Sequence, residues 1–182
     1  MVSANLRLDP THRNYCASEI VANVAVVETR WLDNEEMAAW RSFVETIHDL
    51  TSALEADLAR HGLTLGDYQV LVYLSEVDGQ AMRMCDLAAR LQLSPSGLTR
   101  RLDGLVRRGD VVRTPSLEDR RVMLAVLTEA GRRHLEEAAP THVASVRQRL
   151  LDHLDRDDVA AVARIFGSVR RGLEAAPAGV AG

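Results

Sequence analysis

The side chains best equipped for recognition chemistry stand between Ser94 and Arg121. Leu98, Leu102 and Leu105 recur at steps of four and three, the stripe of a helix that buries one face. Turning about 100° per residue from that stripe puts Ser96, Arg100, Asp103 and Arg107 on the opposite face, with Thr99 at its edge. Ser94 followed by Pro95 supplies a cap and a proline at the first helical position. The N-terminal half of the outward face therefore carries short hydroxyls and a guanidinium. A helix of this kind can enter a DNA major groove, where arginine donates two hydrogen bonds to guanine and serine or threonine bonds phosphate or base edges. Each residue singly would equally suit an ordinary solvated helix face, so the reading rests on what flanks them.

The flanks are basic. From Ser94 to Arg121 the arginines 100, 101, 107, 108, 113, 120 and 121 outnumber Asp103, Asp110, Glu118 and Asp119, within a chain of formal net charge -4. Segregated charge of this sort displaces phosphate counterions locally while the remaining surface keeps the protein soluble. All 22 basic residues are arginines, whose forked guanidinium suits phosphate. The acidic total argues against a protein that coats nucleic acid nonspecifically. Two cysteines, Cys16 and Cys85, are too few for a disulfide framework. The apolar run from Ile20 to Val27 falls far short of the roughly twenty residues a bilayer span needs, and a cytoplasmic protein is expected.

Positioning such a helix takes a scaffold, and the sequence outlines one. Met37, Trp40, Val44, Ile47, Leu50, Leu54 and Leu58 follow Asp33 at helical spacing, and Gly62 is placed to end that helix. Thr64 and Asp67 have the form of a capping box, with Tyr68, Leu71, Val72 and Ser75 behind them. A short extended stretch is expected over Ala81 to Met84, then a short helix from Asp86 to Leu91 containing the small Ala88 and Ala89. Gln92 and Leu93 make a tight turn before Ser94, and Gly109 closes the helix begun there. Val111 to Arg113 and Val122 to Leu127 read as a hairpin around Pro115, Ser116, Glu118 and Asp119. Thr128 caps a helix expected to kink at Pro140. Asp155 caps the last, which carries Val159, Val162, Ile165, Phe166 and Val169 as its apolar stripe. The order predicts a mainly α fold with a small β-hairpin wing, a winged helix-turn-helix. Residues 1–27 are expected to form an extension, 28–174 the domain, and 175–182 a frayed tail. Within the domain the winged part spans about 64–128, between helices at about 33–62 and 128–174.

Three blocks in order resemble the MarR family of transcriptional regulators: Leu98-Thr99-Arg100-Arg101-Leu102-Asp103-Gly104-Leu105 with Arg108-Gly109, then Asp119-Arg120-Arg121, then Leu127-Thr128-Glu129-Ala130-Gly131. The resemblance runs from about Trp31 to Leu173. It implies that Arg121 enters a minor groove, that Asp119 orients it, and that Arg120 touches phosphate. It implies a homodimer joined through helices from both ends of the domain, a reading that agrees with their wide apolar stripes. A pseudo-palindromic double-stranded operator follows, with half-sites about one helical turn apart. Repression is the family's commoner mode. The DNA-contacting set is thus expected to be Ser94, Ser96, Thr99, Arg100, Arg101, Arg107, Asp119, Arg120 and Arg121.

Members of that family commonly sense small, often aromatic effectors in a cleft between the dimerisation helices and the DNA-binding lobe. Trp40, Phe43, Tyr68 and Tyr73, with Arg41 and His48 nearby in sequence, are candidates to line such a pocket, although each also serves as core or surface filler. Cys85 falls where relatives often place a serine-like helix cap, and a thiol there could report oxidants. Against redox control, the chain lacks the N-terminal cysteine with paired tyrosines of peroxide-sensing members, and Cys16 lies too far upstream. A small helical enzyme is the competing class. No phosphate-binding Gly-x4-Gly-Lys-Ser/Thr loop, Gly-x-Gly-x-x-Gly, Gly-x-Ser-x-Gly, Cys-x-x-Cys or His-Glu-x-x-His occurs. His142, Asp152, His153 and Asp155 match no metal-site spacing. No catalytic residue, metal or cofactor is expected.

Overall fold

The computed structural model describes residues 29–175; the readings for 1–27 and for the tail after Ala175 lie outside the described residues. Helix α1 (Asn34–Leu58) opens on a reciprocal capping box. Asp33 Oδ1 accepts the Glu36 N–H at 2.8 Å, and Glu36 Oε2 accepts the Asp33 N–H at 3.0 Å. One tight turn follows, and Gly62, at φ +67°, reverses the chain in the left-handed region open to glycine. Thr64 and Asp67 cap α2 (Leu65–Ser75) in the same reciprocal way. Strand β1 (Ala81–Arg83) leads straight into α3 (Met84–Arg90), and α4 (Pro95–Arg108) begins at the Ser94 cap and ends on Gly109 at φ +79°. Strands β2 (Val111–Pro115) and β3 (Met123–Leu127) precede α5 (Glu129–Arg149), which runs on through Pro140, and α6 (Arg156–Ala175). Asp155 caps α6, its Oδ1 accepting the Asp158 N–H at 2.8 Å.

The hairpin expected from sequence is part of a three-stranded antiparallel sheet ordered β1-β3-β2, with Ala81 opposite Val126 and Val112 opposite the same residue on the other edge. The first short helix starts at Met84, two residues before the expected Asp86. Arg83 is still paired with Leu124 in the sheet, and the chain turns from that ladder directly into the helix with no side-chain cap. Cys85 therefore lies inside the first turn of α3 and is not its cap.

One core holds these pieces together. Leu58, Val70, Leu71, Leu74, Leu87, Leu98, Leu102 and Leu105 are fully or almost fully buried, joined by Val111 and Ala125 from the sheet. Its apolar burial is the main favourable term of folding. The recognition-type helix α4 is thus fastened to α2, α3 and the sheet by its leucine stripe. A polar bolt joins α1 to α5: the buried Asp57 carboxylate accepts from Ser145 Oγ at 2.7 Å and from Arg149 at 2.8 Å through one oxygen, and from Arg60 at 2.8 Å through the other. The hydrogen bond from Arg149, then that from Ser145, holds its pKa below the usual carboxylate value despite burial.

The two long helices at the ends behave differently from this core. Trp40, Phe43, Val44 and Ile47 of α1 and Ile165, Phe166, Val169 and Leu173 of α6 are all exposed, and α6 buries no residue at all among those described. Phe43 touches Trp40 at 6.1 Å and Phe166 at 5.7 Å between ring centroids, so the two stripes form one continuous apolar surface.

Candidate nucleic-acid interface

With Leu98, Leu102 and Leu105 at 1% exposure or less, the helical turn carries Ser96, Thr99, Arg100, Asp103 and Arg107 to solvent, as their spacing predicts. The first turn is pre-ordered. Ser94 Oγ accepts the Gly97 N–H at 3.1 Å and lies 3.2 Å from Ser96 Oγ, while Thr99 Oγ1 donates to the Pro95 carbonyl at 3.0 Å. Among the described residues no carboxylate pairs with Arg100, Arg107, Arg120 or Arg121, so four exposed guanidinium groups stand free for an anionic partner.

The loop joining β2 to β3 is built by local hydrogen bonds. Asp119 Oδ1 accepts the Arg121 backbone N–H at 2.9 Å, its carbonyl accepts from Val122 N at 2.9 Å, and the Ser116 N–H donates to the Val122 carbonyl at 2.8 Å. Asp119 thus shapes the loop through the backbone of Arg121, leaving the Arg121 and Arg120 side chains exposed.

Sequence spacing missed the cross-braces behind this surface. Arg113 on β2 donates through Nη2 to the Thr99 carbonyl and to Asp103 Oδ1, both at 2.8 Å, tying the wing to the third turn of α4 and neutralising an acid on its outward face. Arg108 donates to Asp110 Oδ2 at 3.0 Å and to Asp67 Oδ2 at 3.2 Å. Asp110, buried where α4 turns into β2, also meets His134 Nδ1 of α5 at 3.1 Å, and His134 Nε2 lies 2.8 Å from the His61 carbonyl. Arg101, counted above with the DNA contacts, is half-buried and donates to Thr64 Oγ1 at 3.3 Å. Apart from Arg108 and Asp110, these partners lie ten or more residues apart along the chain, and no periodicity or local motif reports such pairs.

The six residues expected around an effector do not meet in one place. Tyr68 is buried against His142 of α5, ring centroids 4.4 Å apart; burial raises the pKa of the Tyr68 hydroxyl and lowers that of the His142 imidazole. Tyr73 lies beneath the Arg90 guanidinium, 4.2 Å from its ring centroid. Trp40 and Phe43 belong to the exposed apolar surface, and Arg41 and His48 are exposed on α1. The exposed Cys85 thiol donates to Asp86 Oδ1 at 3.4 Å. Among the described residues no group of three or more His, Cys, Asp or Glu is arranged to hold a metal ion, and no helix is long and apolar enough to cross a membrane.

This arrangement recurs in solved proteins. Residues 61–122, from the end of α1 through the wing loop, match the sequence profile of the MarR family. AbsC, a MarR family transcriptional regulator from Streptomyces coelicolor, is 39% identical, with a TM-score of 0.78 over 81% of this chain and 100% of its own. The chain belongs to the MarR family. Sco3205, a second MarR family regulator from that organism, solved in complex with DNA, is 34% identical at a TM-score of 0.77, covering 81% of this chain and 92% of its own. CouR from Rhodococcus jostii, solved with p-coumaroyl-CoA, is 28% identical at a TM-score of 0.62, covering 73% and 90%. The HTH-type transcriptional repressor YetL of Bacillus subtilis is 25% identical over 69% of this chain and 75% of its own length. As in the family at large, the protein is a DNA-binding transcriptional regulator, and the MarR winged helix-turn-helix here consists of α2, α3, α4 and the three-stranded sheet.

Proposed function

We propose that this MarR-family regulator binds a pseudo-palindromic operator as a homodimer, represses transcription from it in the cytoplasm, and is released by a small-molecule effector, with no catalytic step of its own. The observation that carries the DNA reading is the row of exposed hydroxyls and free guanidinium groups on α4, beside a wing with two more, in an otherwise acidic protein. In this reading Arg100 forks onto a guanine edge, and Ser94, Ser96 and Thr99 bond phosphate or base edges. Arg107 and Arg120 neutralise phosphate, and Arg121 enters the minor groove from a loop that Asp119 holds in shape. Dimerisation through α1, α5 and α6 would cover the continuous apolar surface of α1 and α6, and contiguous exposed apolar patches mark interaction sites. The DNA complex of Sco3205, the ligand complex of CouR and the repressor YetL support DNA binding, effector control and repression in turn. Nothing in the surroundings of Cys85 favours the thiol-sensing alternative over this one.

The test is Arg100→Ala and Arg121→Ala, titrated against an operator selected from a random duplex library and against its scrambled counterpart. Loss of a bidentate guanine contact should weaken the operator by about 1 to 3 kcal/mol and relax one symmetric pair of positions. Loss of a minor-groove arginine should weaken both duplexes together and flatten the salt dependence. Equal, sequence-independent losses in both variants would remove Arg100 from base reading.

A further inference from the structure

Arg101 is set apart from the other arginines of the basic segment by what lies beneath it. Its guanidinium rests on Gly66 in the first turn of α2, so closely that a Cβ on Gly66 would stand 2.0 Å from Nη1, 2.4 Å from Cζ and 2.9 Å from Nη2. Nη1 also donates at 3.3 Å to Thr64 Oγ1, the same oxygen that caps α2 by accepting the Asp67 N–H at 3.0 Å. About two turns along the same face of α4, Arg108 binds Asp67 Oδ2 at 3.2 Å, the other half of that capping box. The recognition helix is therefore fastened by two guanidinium groups to the two residues that start α2.

Gly66 has no backbone reason to be glycine. Its φ lies outside the left-handed region, and in the first turn of a helix alanine is the better helix former. What glycine supplies there is room for the Arg101 guanidinium.

We propose that Gly66 and Arg101 form a seat that fixes the rotation of α4 about its own axis, and thereby the aim of Arg100 into the groove. Arg101 is in this account a positioning residue and not a phosphate contact. Adjacent helical residues are separated by about 100°, so a helix pinned at Arg101 presents Arg100 at one angle only. A bidentate contact weakens steeply once its donors leave their alignment. The inference rests on the reading of α4 as the groove-entering helix.

The test uses the parent, Gly66→Ala, Arg101→Ala and the double variant, with Arg100→Ala beside them. Thermal melts come first. The three atoms nearest an alanine Cβ at 66 all belong to the far end of a flexible side chain, so the variant should leave the fold intact. Binding to the selected operator and to scrambled DNA is then followed by fluorescence anisotropy at several salt concentrations. Arg101→Ala should lower the operator-to-scrambled affinity ratio about tenfold, the size of one lost hydrogen bond to a charged group, with the salt slope unchanged. Gly66→Ala should cause a similar loss in the parent and no further loss when Arg101 is already alanine, because the guanidinium it displaces is gone. The proposal is overturned if Arg101→Ala flattens the salt slope by about one unit per protomer and weakens both duplexes alike, or if the Gly66→Ala effect simply adds to that of Arg101→Ala. Arg100→Ala separates the two levels of argument. If it weakens operator binding while the 66/101 pair is silent, the seat alone fails; if it is silent as well, the groove-entering role of α4 fails and the seat with it.

Discussion

Gly131, the third residue of α5, should tolerate no side chain. A Cβ there would stand 2.1 Å from the Asp110 carbonyl oxygen, 2.8 Å from its carbon and 2.9 Å from Leu127 Cδ1. Carbon and oxygen do not ordinarily approach below about 3.3 Å, so the start of α5 or the turn between α4 and β2 would have to move by more than about 1 Å. Neither is free to do so. The Asp110 carbonyl accepts from Thr128 N at 3.0 Å and from Thr128 Oγ1 at 3.1 Å, and its side chain is held by Arg108 and His134. Overpacking of this kind costs about 1 to 3 kcal/mol, and each hydrogen bond lost in relieving it adds about 1 kcal/mol. Alanine's helix propensity returns about 1 kcal/mol. A net destabilisation of about 2 to 4 kcal/mol should lower the melting temperature by about 5 to 15 °C for a chain of this size. Gly172 in α6 is the control: nothing lies within 4 Å of its added Cβ, and Gly172→Ala should raise the melting temperature by a few degrees. Calorimetry on the parent and both variants decides the matter. A Gly131→Ala protein that melts at or above the parent would refute the packing argument.

Two further outcomes follow from the apolar faces of α1 and α6 and from the half-buried His142. Phe166→Asp places a charge in the centre of the exposed apolar surface, so it should leave the core and the far-ultraviolet spectrum intact while light scattering shows monomers in place of dimers. His142 is held neutral by burial, with its pKa lowered from 6.5; the stability it contributes is present in full above that value and is lost as pH falls from there through the folded-state pKa. Urea midpoints measured from about pH 8 down to about pH 5 should therefore fall less steeply for His142→Phe, which keeps a ring against Tyr68 and takes up no proton.

Much of the molecule was legible along the chain because the signals involved are local. The stripe of Leu98, Leu102 and Leu105 placed Arg100 and Arg107 on the outward face of α4, since a period of 3.6 residues leaves little choice once one face must be buried. Ser94 with Pro95, Thr64 with Asp67, and Gly62 and Gly109 marked helix ends through capping and left-handed turns, which involve residues within one turn of each other. Helix α3 starts two residues before the expected Asp86 because its position depends on the pairing of Arg83 with Leu124 across the sheet, and a strand as short as β1 carries too few residues to show an alternation.

By itself, then, the sequence determined the order of the elements, the faces they bury and the basic segment, because each is a matter of neighbours within a helical turn or a hairpin. Tertiary structure decided which guanidinium groups remain free. Arg100, Arg101, Arg107, Arg108 and Arg113 are one residue type in one segment, yet Arg101 rests on Gly66, Arg108 joins Asp67 to Asp110, and Arg113 clamps Asp103. Those partners come from α2, the α4–β2 turn and, for the wing arginine, α4 itself, and only folding sets their distances. The same holds for the aromatic residues, which spacing grouped and packing separated: Tyr68 to the core beside α5, Tyr73 under Arg90, and Trp40 and Phe43 to a surface continuous with α6. A side chain's type says which bonds it can make, but the one it makes depends on what the fold brings within about 3 Å of it.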